Sequence, residues 1–89
     1  MSASEQTLRD QIRDFLIREM LQGQDAAALT DETPLFTKGY LDSISVLQYV
    51  AFLEKKFSVK LTGKDLSRRH LDTIASTAEL VRERMPNGR

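Results

Sequence analysis

Cysteine is absent from the 89-residue chain, which removes disulfides, thiolate metal sites and cysteine nucleophiles at the outset. Histidine occurs once, at His70, beside two arginines. Asp65 and Asp72 do not complete a triad or a metal site around it by spacing, so no catalytic residue and no metal are expected. The longest unbroken apolar run, Tyr49 to Leu53, is far short of the ~20 residues that span a bilayer. Residues Met1 to Gln6 lack the basic and apolar regions of a secretion signal, so a cytoplasmic chain with no membrane partner is expected. No strand alternation, internal repeat or low-complexity tract is present. What remains is 40% apolar and 29% charged residues, the composition of an ordinary globular protein. The length suits one domain, 1–89, with a folded core of about 4–85, a tail at 86–89 and a thin interior.

Net charge is zero, but its distribution is uneven. Residues 1–42 hold four Lys or Arg against eight Asp or Glu, or −4; residues 43–89 hold nine against five, or +4. Such asymmetry marks a binding face or, more commonly, a solvated helix surface.

Leu8, Ile12, Phe15, Leu16 and Met20 recur at three- and four-residue steps, which predicts a helix from about Ser4 to Leu21. Ser2 with Glu5, or Ser4 alone, is placed to cap it, and Gly23 to stop it. Residues 22–42 form a connection longer than compact domains commonly carry, pinned by Leu29, Leu35, Phe36 and Leu41. A second helix is expected from Asp42–Ser43 to Phe57, with Asp42 as N-cap and Val46, Tyr49, Val50, Leu53 and Phe57 as its core stripe. Ile44, Leu47 and Ala51 lie off that stripe beside Gln48 and Lys55, giving more apolar surface than one buried face requires. Gly63 breaks the chain, and 64–68 allow only a short helical turn. A last helix begins near Asp72–Thr73, carries Ile74, Ala78, Val81 and Met85 on one face, and ends at Pro86. The expected fold is all-α, a small four-helix bundle of three long helices and one short one.

The segment Gly39-Tyr40-Leu41-Asp42-Ser43-Ile44 stands out at the junction of the long loop and the second helix. A hydroxyl in the first turn of a helix lies beside unpaired N–H groups and the positive end of the helix dipole, a favourable place for a phosphate. Lys38 lies five residues upstream of Ser43. The same residue types, Asp42 and Ser43, also serve as plain helix caps, and on spacing alone capping is the preferred reading.

Leu41-Asp42-Ser43-Ile44, followed by an apolar helix ending Phe52-Leu53-Glu54-Lys55-Lys56-Phe57, resembles an acyl carrier protein. The likeness extends to the long first loop, to the exit Phe57-Ser58-Val59-Lys60-Leu61, and to Asp72-Thr73-Ile74 before the last helix, covering roughly residues 8–85. It implies that Ser43 carries 4′-phosphopantetheine from coenzyme A, with Asp42, Ile44, Gly39 and Leu41 as supporting motif residues. The prosthetic group would bring the thiol that the chain lacks. Implied partners are a phosphopantetheinyl transferase, which would modify Ser43, and acyl- or aminoacyl-loading ligase and synthase enzymes. Ile44, Leu47, Gln48, Ala51 and Lys55 would form the face they grip, on a monomeric, non-enzymatic carrier.

Carriers serving fatty acid synthesis are typically acidic just after the modified serine. Here those positions are Ser45 and Gln48, the helix ends in Lys55 and Lys56, and Ser67-Arg68-Arg69-His70 is basic. The resemblance therefore implies an acyl carrier in fatty-acid-like or specialised (polyketide or lipid) biosynthesis, with an aminoacyl or peptidyl carrier as the alternative. A small helical nucleic-acid-binding protein is the reading from another class. It requires a basic recognition helix, whereas Arg68 and Arg69 fall in a short turn.

Overall fold

The structure, a computed structural model, describes residues 5–21 and 26–85. The expected caps Ser2 and Ser4, the stop at Gly23 and the tail from Pro86 lie outside that set. Four α-helices make the fold: α1 (Glu5–Phe15), α2 (Ser45–Phe57), α3 (Arg68–Leu71) and α4 (Ile74–Arg84). The described residues contain no strand, as expected of an all-α bundle.

The period of the apolar residues dictates α1. Leu8, Ile12 and Phe15 fall on one face and are buried, and that face packs chiefly on α4. The helix then changes pitch, because Leu16–Leu21 form a π-helical turn. A wider turn brings residues five apart onto one side, so Leu16 and Leu21 are both buried. Met20, expected on the core face, is only partly buried against it.

α2 is held largely by aromatic side chains. The rings of Phe15 and Phe52 stack with centroids 3.9 Å apart and 9° between planes. Phe57 meets Phe52 edge-on at 6.0 Å, and Tyr49 lies 6.4 Å from Phe15. Tyr49, Leu53 and Phe57 are buried as expected, whereas Val46 and Val50 only border the core. The core stripe of α2 is thus narrower than the sequence suggests, since its aromatic rings reach further than valine. Tyr49 is fully enclosed and its hydroxyl has no hydrogen-bond partner among the described residues. Burial pushes the phenol pKa up, and the nearby Thr77 hydroxyl opposes that shift without closing a well-formed bond.

After α2, Ser58 turns the chain in the left-handed conformation at φ 55°, and Val59 and Leu61 re-enter the core. Gly63 opens a 3₁₀ turn, Gly63–Leu66, rather than merely breaking the chain. Inside this turn Asp65 is 2% exposed. Its carboxylate accepts the Thr62 N–H at 3.1 Å and a forked pair from Arg84, at 3.2 Å from Nε and 2.8 Å from a terminal nitrogen. The Arg84 guanidinium first, then the Thr62 N–H, hold the Asp65 carboxyl down to about 2. α4 starts where the sequence predicts, with Thr73 as N-cap accepting the Ser76 N–H at 3.0 Å. Thr77 and Leu80 join Ile74, Ala78 and Val81 in the core, and Met85 is partly buried.

Two consequences are measurable. Phe57→Ala removes a ring from the aromatic cluster and should cost ~3–5 kcal/mol in chemical unfolding. A melting curve like the parent's would contradict the packing. Because the Asp65 carboxyl is depressed in the folded state, its contribution is present above the ordinary carboxylate pKa and is lost as pH falls towards the folded value. Stability should therefore drop between pH 3.8 and about 2, and Asp65→Asn, already weakened at neutral pH, should lack that component.

Candidate functional site

The start of α2 is positioned by residues 26–42 of the long connection, which are tied down by hydrogen bonds and burial. The Leu35 N–H donates to the Asp72 backbone oxygen at 2.6 Å and the Phe36 N–H to the Asp72 carboxylate at 3.0 Å. The Ala75 N–H donates to the Asp31 backbone oxygen at 3.0 Å, while the Asp31 carboxylate receives both Arg9 and Arg13 from α1. Leu29, Leu35 and Leu41 are buried and Phe36 is partly so, which pins the loop at the positions expected. A tight reversal follows, closed by Lys38 N–H to Pro34 O at 2.9 Å and Tyr40 N–H to Leu35 O at 2.9 Å. Gly39 has φ +82° here, a conformation that a side chain disfavours.

At Asp42 the chain becomes helical. One oxygen of its carboxylate accepts the backbone N–H of Ile44 at 2.9 Å and of Ser45 at 2.8 Å. In return the Asp42 N–H donates to the Ser45 hydroxyl oxygen at 2.9 Å, a reciprocal capping box. These bonds, the Ser45 N–H foremost, hold the Asp42 carboxyl below its ordinary range. Regular α geometry begins at Ser45, three residues later than the sequence suggests, yet the Val46 N–H already bonds the Asp42 carbonyl at 3.0 Å. Asp42 is therefore the cap, as expected.

Of the two readings of this segment, the cap is the one observed. The first N–H groups of α2 are not open to a phosphate, because the Asp42 carboxylate occupies those of Ile44 and Ser45. A group attached nearby would meet the helix dipole but also a fixed negative charge.

Between two engaged residues stands a free one. Ser43 is exposed, and its side chain enters no hydrogen bond among the described residues. Sequence reasoning singled out Ser43 but missed the role of Ser45; the Asp-x-x-Ser spacing of a capping box was the available signal. Ile44 and Leu47 are 78% and 65% exposed, and Gln48, Ala51 and Lys55 are exposed beside them. Spaced by three and four residues, all five share one outward stripe of α2. Tyr40 borders the core and Leu41 is buried in it. His70, by contrast, lines a groove with Arg69, Ser76 and Glu79, away from this motif in the chain.

A model of the family described as "phosphopantetheine attachment site" matches residues 6–81. The chain belongs to this family, and the domain is a site of 4′-phosphopantetheine attachment. Comparisons with curated proteins and with solved structures gave no match.

The cap and the free hydroxyl are separable by mutation. Asp42→Ala and Ser45→Ala should each lower the melting temperature, because each breaks the capping box. Ser43→Ala should leave helicity and melting temperature unchanged by circular dichroism.

Proposed function

We propose that Ser43 is the residue that carries the 4′-phosphopantetheine arm, and that the chain presents an acyl group, held on it as a thioester, to the enzymes of a specialised polyketide- or lipid-type pathway in the cytoplasm. The observation that supports this reading is the contrast between the two serines of the first turn. The Ser45 hydroxyl is committed to the Asp42 cap, whereas the Ser43 hydroxyl is exposed and uncommitted. The arm supplies the thiol that this cysteine-free chain lacks.

In the loading step the Ser43 oxygen forms the new bond to phosphorus. The pyrophosphate bond of coenzyme A breaks, adenosine 3′,5′-bisphosphate leaves, and the serine proton passes to the transferase. The hydrogen bonds that hold the Asp42 carboxyl below its ordinary range make it a weaker base, and one of its oxygens is already engaged by the Ile44 and Ser45 N–H groups. Asp42 fixes the turn so that the hydroxyl is presented outward. Ile44, Leu47, Gln48, Ala51 and Lys55 then form the face that the transferase and the loading enzymes grip. Among the described residues no helix is long and apolar enough to cross a membrane.

Incubation with coenzyme A, magnesium and a broad-specificity transferase should add one phosphopantetheinyl group, read by intact mass, and Ser43→Ala should abolish the addition. Modification that persists in Ser43→Ala would place the arm elsewhere. Intact mass of the protein from its native host, with the thioester preserved, should show an acyl adduct; an aminoacyl mass would replace the acyl reading.

A further inference from the structure

The arginines of α1, its continuation and α4 are neutralised within the fold. Arg9 and Arg13 meet Asp31, Arg18 meets Asp14, Arg82 meets Glu5 and Arg84 meets Asp65. From Lys38 to Arg69 the pattern reverses. No Lys or Arg in that span has a carboxylate partner among the described residues, and all are exposed. The three acids in the same span are all engaged: Asp42 in its cap, Glu54 with the Leu61 N–H at 2.9 Å, and Asp65 with Arg84. The zero net charge of the chain thus conceals a surplus of positive charge without carboxylate partners between Lys38 and Arg69.

On α2 part of this surplus adjoins apolar surface. Ile44 and Leu47 open its outward stripe and Lys55 closes it, while Lys55 and Lys56 line a shallow depression with Phe52. Arg68 lies over the Phe36 ring at 5.2 Å and reaches the Thr37 hydroxyl at 3.5 Å, which holds a further cation against the loop that leads into α2. Lysines in the last turn of a helix also favour its dipole, but that accounts for Lys55 and Lys56 alone and not for Lys38, Lys60 or Lys64.

We infer that α2 docks on enzymes whose carrier-binding groove is apolar at its centre and rimmed by carboxylates, so that this carrier selects its partners by positive charge. The inference rests on the carrier reading at Ser43. An apolar centre excludes water while a charged rim sets encounter rate and rejects like-charged partners. A bare polyanion such as nucleic acid would use the cations and leave Ile44 and Leu47 in water.

The test uses the full chain, coenzyme A and two phosphopantetheinyl transferases, one with a carboxylate-rimmed groove and one with an Arg- and Lys-rimmed groove. At about 50 mM salt the acidic groove should give a kcat/KM at least ~10-fold higher, and the difference should shrink at about 500 mM. Lys55→Glu with Lys56→Glu, both exposed, should reverse the order. Equal rates with both grooves, or an order that the double substitution leaves unchanged, would overturn the inference. So would binding of a DNA duplex at near-physiological salt that the same substitution removes. Failure of both transferases to modify the protein at any salt would instead overturn the attachment at Ser43.

Discussion

Everything about the site depends on where a long, irregular stretch of chain delivers α2, and two aspartates decide that. Asp72 takes the backbone of Leu35 and Phe36 through its own carbonyl and carboxylate. Asp31 faces the other way, gathering Arg9 and Arg13 with its side chain while its carbonyl receives Ala75. The connection is thereby tied to α1 on one side and to the start of α4 on the other. Without regular backbone pairing of its own, it would otherwise retain freedom costing roughly 1–2 kcal/mol per residue to fix. Leu29, Leu35 and Leu41 supply burial; the aspartates supply direction.

That division explains why part of the architecture is legible in the sequence and part is not. The helix faces are periodic, so Leu8, Ile12, Phe15, Leu53, Phe57, Ile74 and Val81 announce the core. The cap at Asp42 follows from local residue type, and the exposed surplus on α2 from counting apolar positions off its stripe. What joins residues distant in the chain has no local signature. Nothing near Asp31 marks it as the partner of two arginines in α1, and nothing near Asp65 marks it as the buried end of an ion pair with Arg84. The π-helical turn at Leu16–Leu21 is hidden for a related reason. A step of five from Leu16 to Leu21 reads as ordinary drift until the packing shows that both are buried. In sequence the two serines differ only in their spacing from Asp42, a faint capping-box signal at Ser45, and the hydrogen bonds show which of them the cap engages.

Electrostatics divide the molecule along the same line as packing. Carboxylates next to α1 and α4 meet arginines, whose planar forks suit fixed pairing, and so contribute to holding those elements. Around α2 the cations are mostly lysines, each a mobile, strongly hydrated charge on a flexible stem. Such charges add little to folding stability when exposed. Their use lies in the field they project. Under the docking inferred above, a surface left this way beside exposed isoleucine and leucine serves encounter rather than structure.

The same economy of roles governs the first turn of α2. A hydroxyl that must be reached by another enzyme cannot also serve as the cap, because a capping hydroxyl is held against the backbone. Here the cap is built from Asp42 and Ser45: the Asp42 carboxylate accepts the N–H groups of Ile44 and Ser45, and the Ser45 hydroxyl accepts the Asp42 N–H. Ser43 is left in a turn whose geometry its own side chain does not help to maintain. The attachment proposed at that oxygen would therefore leave the cap of α2 intact. A phosphate joined at Ser43, as proposed, would stand beside the fixed charge of the Asp42 carboxylate as well as the positive end of the helix dipole.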